Sequence, residues 1–199
     1  MRKLPDDVYP ESLSRLPLLK REELDDDGKR YYDAVTGPGS RTLAGLQGPS
    51  GIWLHSPRLA EHLRRANQYL RYESGLDRRL TELAILVTAR ELDHQFEWTA
   101  HEPAALREGL EPEIIDLVKY RKPVSGLGER ETAIITFGRE LFRDRKVRPE
   151  TFAYAVALFE RRGVLDLVAL MANYASTALI LNAFEQQVHL DKPPLLPMS

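Results

Sequence analysis

The chain has 199 residues, 43% of them hydrophobic and 29% charged, which suits a folded domain with a sizeable core and excludes global disorder. A formal net charge of -2 gives no field for gathering DNA or RNA, so no nucleic-acid partner is expected. Cysteine is absent, which removes disulfides, thiolate metal sites, Fe–S clusters and cysteine nucleophiles.

Residues 1–20 hold Pro5, Pro10 and Pro17 without a sustained period and read as an extended arm lying over the surface or a neighbouring subunit. The segment Met1-Arg2-Lys3-Leu4-Pro5-Asp6-Asp7 has charge and proline where a secretory signal needs an apolar run, so a cytoplasmic location is expected. Arg21 to Thr36 reads as a short helix weakened by Gly28. Gly37-Pro38-Gly39 and Gly48-Pro49-Ser50-Gly51 then punctuate a long loop of the kind that covers a pocket. Ser56-Pro57 has the cap chemistry of a helix start, and that helix should run to about Glu73. Asp77 should cap the next helix. Leu83, Ile85, Leu86, Val87 and Ala89 make it apolar nearly all round, the mark of a central helix. Either this helix continues past Leu92, or Asp93 caps a new one from His94 to Glu108, ended by Gly109.

Glu111-Pro112 opens a helix to about Tyr120, and Lys122 to Gly128 is a linker. Helices follow from Glu129 to Arg143 and from Pro149 to Arg162, with Gly163 as a C-cap, and the last runs from Val164 to His189. Its most apolar part, Val164 to Phe184, is interrupted by Asp166, Asn173 and Asn182. It therefore reads as a buried helix and not as a membrane span. Lys192-Pro193-Pro194 ends helical structure. The expectation is an all-α bundle of about seven or eight helices, with one domain over residues 21–191, an arm over 1–20 and a tail over 192–199.

Chemistry concentrates in Glu82 and in His94-Gln95-Phe96-Glu97-Trp98-Thr99-Ala100-His101. His94, Glu97 and His101 are spaced i, i+3, i+7, which places them on one helical face. Glu82 joins that side if the helix is unbroken, or faces it across a turn near Asp93. Beside so apolar a stretch a carboxylate needs a partner, and histidine is the natural one for proton transfer. His94, Glu97, His101 and Glu82 are also metal-competent, but their order matches no familiar metal signature, and no metal or other cofactor is expected.

These residues resemble the carboxymuconolactone decarboxylase / AhpD-like family. Many of its members start a helix with Arg/Lys-x-x-Glu, continue with an apolar run, and end in Cys-x-x-Cys-x-x-x-His. Here Arg79-Leu80-Thr81-Glu82 stands at the start and His101 at the histidine, while His94 and Glu97 occupy the cysteine positions. Phe96-Glu97-Trp98-x-x-His101 is similar to the form found in cysteine-free relatives. His55-Ser56-Pro57, Gly109-Leu110-x-x-x-Ile114-Ile115 and Leu167-Val168-x-Leu170…Tyr174…Asn182-Ala183-Phe184 extend the resemblance over about residues 40–190.

The resemblance implies an AhpD-like fold, a homo-oligomer (trimer or hexamer), and a lyase of the decarboxylase type, since a thiol peroxidase needs two cysteines. The implied substrate is a small carboxylated lactone or related carbon acid. Glu82, His94, Glu97 and His101 are the catalytic candidates, with proton delivery by His101 or His94. Arg90, Arg71 and His55 are substrate-binding candidates. The other readings are a metal-dependent site in the same helices and a non-catalytic oligomeric scaffold. No membrane partner is expected.

Overall fold

The computed structural model describes residues 3–198. Among them are eight α-helices and no extended strand: α1 (Asp26–Thr36), α2 (Pro49–Trp53), α3 (Pro57–Tyr72), α4 (Arg78–Glu91), α5 (Gln95–Arg107), α6 (Pro112–Lys119), α7 (Glu129–Arg139) and α8 (Pro149–Ala183). A 3-10 turn (Arg21–Glu23) precedes α1, and a π-helical turn (Glu140–Asp144) continues α7. The chain forms two compact units, residues 1–66 with 179–193, and residues 67–178 with 194–199.

In the first unit, Tyr31 and Val35 of α1 pack with Trp53, Leu54 and Ala60. The expected arm is not extended. Tyr9 and Ser14 pair as an antiparallel bridge, with Leu13 at φ 59° in the turn and its side chain 3% exposed. Backbone bonds from Arg15 to Phe184 (2.8 Å) and from Gln187 to Leu13 (2.7 Å) fix this turn to the segment after α8. The long loop also contains a short helix, α2, opened by Pro49 at its first position.

The second unit is built round α4. Asp77 caps it by accepting a bond from the Leu80 amide (2.9 Å), and every residue from Leu80 to Arg90 is buried. Its side chains share a core with Trp98 and Ala105 of α5, Ile114, Ile115, Leu117 and Val118 of α6, Ile134 and Ile135 of α7, and Leu167, Leu170 and Met171 of α8. Gly138 lets α7 approach closely. A Cβ there would lie 2.5 Å from Val87 Cγ1 and 3.1 Å from Met171 Cε. The tail is integrated as well. Leu196 is 3% exposed within this core, the Leu195 amide donates to Thr99 Oγ1 (3.2 Å), and Arg90 Nη1 donates to the Pro197 carbonyl (3.0 Å).

The two helices expected either side of Gly163 follow one another within Pro149–Ala183, separated by a kink. The kink is at Glu160, with φ 60° and ψ 171°, and not at the glycine. This element holds a window long and apolar enough to cross a membrane, with mean hydropathy 1.7. Its inward residues Leu167, Leu170, Met171 and Tyr174 are spent in the core.

Candidate active site

Helices α4 and α5 are separate. Asp93 takes φ 50° and turns the chain, so the expected cap passes to the next residue: His94 Nδ1 accepts from the Glu97 amide (3.2 Å). That geometry corrects the i, i+3, i+7 face. His94 lies outside the helix, and its Nδ1 is occupied with backbone. Glu97 and His101 remain one turn apart on α5, and the turn at Asp93 brings Glu82 of α4 opposite them.

Glu82, Glu97 and His101 form a continuous buried chain. His101 Nδ1 and Glu82 Oε2 are 2.7 Å apart, and His101 Nε2 lies 3.4 Å from Glu97 Oε2. Glu82 is 0% exposed, and Glu97 and His101 are 4% exposed each. The other Glu82 oxygen accepts from Arg78 Nη2 (2.8 Å) and Arg71 Nη2 (3.2 Å). Tyr72 lies beneath both guanidiniums, 4.4 Å from Arg78 and 5.1 Å from Arg71. The Tyr174 ring stands edge-on to His101 at 5.0 Å.

The two carboxyls have opposite electrostatics. Burial pushes Glu82 up, but His101, Arg71 and Arg78 outweigh it and hold the group at about 2, fully ionised. Glu97 is also buried, and among the described residues no guanidinium bonds to it. Burial raises it above the ordinary carboxylate value, with His101 and Arg71 opposing and Glu82 assisting. Glu97 therefore retains its proton more readily than Glu82. An ionised Glu82 accepts from Nδ1–H, so in the neutral ring His101 presents its Nε2 lone pair towards Glu97. Arg71 is drawn down by burial, yet Tyr174 and Glu82 raise it further, so it stays cationic. Its Nε is a buried donor without an acceptor, the position where an anion would add a bond.

The other sequence candidates lie elsewhere. Arg90 pairs with Asp93 (2.9 Å) and the Pro197 carbonyl, and Arg121 and Arg143 crowd it. Being eight residues beyond Glu82 on a fourteen-residue helix, it belongs to that helix's far end. His55 is exposed, with Nε2 3.0 Å from the Pro17 carbonyl in the first unit. The Arg79 of the sequence motif does not serve Glu82. It bonds Glu131 (2.5 Å) and Glu111 (2.5 Å), and Arg78, at i-4, holds the carboxylate. Arg78 was legible as the i-4 neighbour of Glu82, beside Arg79 at i-3. Tyr174 had no such signal, because its contact comes from α8. Among the described residues, no group of three or more His, Asp or Glu is placed to hold a metal ion.

This helix order defines an all-α, AhpD-like fold. Residues 57–136 match the carboxymuconolactone decarboxylase family model. A crystal structure of an alkylhydroperoxidase AhpD core, an uncharacterised peroxidase-related protein from Ralstonia eutropha JMP134, superposes with a TM-score of 0.73. It is 16% identical, and the match covers 92% of this chain and 95% of that one. A protein of unknown function from Agrobacterium tumefaciens, whose description relates it to AhpD and antioxidant defence, superposes with a TM-score of 0.64. It is 17% identical, covering 70% of this chain and 97% of that one. No curated protein matches.

Proposed function

We propose that the chain is a cofactor-independent acid–base enzyme, a lyase that decarboxylates a small carboxylated lactone or a related carbon acid. One observation carries the reading. A single buried imidazole has a firmly ionised carboxylate on one nitrogen and a proton-retaining carboxyl on the other. Environments that push two carboxyls apart assign them different roles. Glu82 orients His101 and stabilises its cation. Glu97 is the acid. The 199 residues hold no thiol, so disulfide-based peroxide reduction is not available to them.

Loss of CO2 breaks a carbon–carbon bond and leaves the electron pair as an enolate. Arg71 favours that charge, and a proton from Glu97 closes the new C–H bond. The carboxylate so formed recovers its proton from water through His101. Carboxylated lactones offered to the purified protein, with CO2 and product measured, test this. Activity should fall by at least ~10²-fold in Glu97→Gln and in His101→Ala, typical of removing a general acid or base. Unchanged turnover in Glu97→Gln would remove the assignment.

A further inference from the structure

The first unit has a cleft of its own, about 440 Å³, lined by α1 and the first turns of α3. That volume lies in the range of small-molecule sites, ~300–1,000 Å³. No residue of the Glu82–His101–Glu97 chain lines it. Ala34, Pro57 and Tyr31 contribute the apolar part of its lining. Tyr31 is 2% exposed. Burial pushes its phenol up to about 12, against a hydrogen bond with Ser50, so it stays neutral.

The walls are cationic. Arg30, Arg58, Arg64 and Arg65 line it together with two carboxylates, Asp27 and Glu61. Arg30 pairs with Asp27. Glu61 is shared by Arg64 (2.9 Å) and Arg65 (2.7 Å) and is held at about 2, Arg64 having the largest effect. Arg58 has no ion-pair partner among the described residues. It lies in the first turn of the sixteen-residue α3, a turn with no acidic residue. A cation at a helix N-terminus opposes the helix dipole, whereas an anion there is favoured. Arg58 thus has no counter-charge among the described residues, and Arg65 shares its carboxylate with Arg64.

We propose that this cleft binds a small organic dianion, a phosphate monoester or a dicarboxylate, with its charged end on Arg58 and Arg65 and its body against Pro57 and Ala34. Calorimetric titration at low salt with phenyl phosphate, phthalate and benzoate tests it on the whole chain. One of the two dianions should bind saturably and at least fivefold more tightly than benzoate, and the tighter one identifies the headgroup. The double variant Arg58→Ala/Arg65→Ala leaves the Arg64–Glu61 pair intact and should weaken that dianion at least tenfold, with the helical circular dichroism unchanged. Glu97→Gln should bind as the parent does. No saturation by either dianion up to 10 mM, or equal affinity in the double variant, would overturn the proposal.

Discussion

Glu82 and Glu97 flank one imidazole, and the signs of their linkage to folding are opposite. Glu82 is held at about 2 against an ordinary 4.5, so its contribution is present above pH 4.5 and is lost as pH falls towards 2. Glu97 is raised in the folded state. Its contribution is complete below the ordinary carboxylate value and is lost as pH rises through the raised one. Glu82→Gln leaves Arg71 and Arg78 short of a counter-charge and should cost about 3–5 kcal/mol at pH 7, a gap that narrows below pH 4.5. Glu97→Gln should match the parent near pH 4 and exceed it at pH 8. Denaturant titrations across that range measure both. A Glu97→Gln protein less stable than the parent at pH 8 would mean that Glu97 is ionised beside His101. At this scale the sequence showed which residue types would meet. The dihedral of Asp93 puts His94 at the helix cap with its Nδ1 on the Glu97 amide, and a change of one residue in helix register is too fine for spacing to decide.

At the scale of elements, α4 was the most readable part. Its all-round apolar pattern comes from being enclosed by α5, α6, α7 and α8, and its Asp77 cap is local chemistry. The break in α8 was misplaced because Gly163 has the propensity to end a helix, while Glu160 takes the positive φ. Tertiary packing overrode a local preference. Position 138 tests how closely α4 is held. Gly138→Ala would gain helix propensity, but its Cβ would meet Val87 and Met171 in a fully packed region. Overpacking should prevail by about 1–3 kcal/mol, read as a lowered denaturation midpoint. An unchanged or raised midpoint would show that α7 and α4 can separate without loss.

At the scale of the molecule, all-α class and AhpD-like architecture were readable from helix punctuation and the ordered family segments. The N-terminal turn and the tail were not, because short segments with no period bury themselves through long-range contacts that leave no local pattern. Leu13 and Leu196 illustrate this, each 3% exposed at opposite ends of the chain. Leu196→Ala should cost about 2–4 kcal/mol, as for a leucine removed from a closed core, measured by denaturant unfolding. A loss below ~0.5 kcal/mol would mean that the tail is not held in solution.

The seating of Leu196 has a practical side. Any mass attached to the chain just beyond Leu196 would sit close to a sealed side chain and to the Arg90–Pro197 bond, pulling on the enclosure of α4 each time it moved.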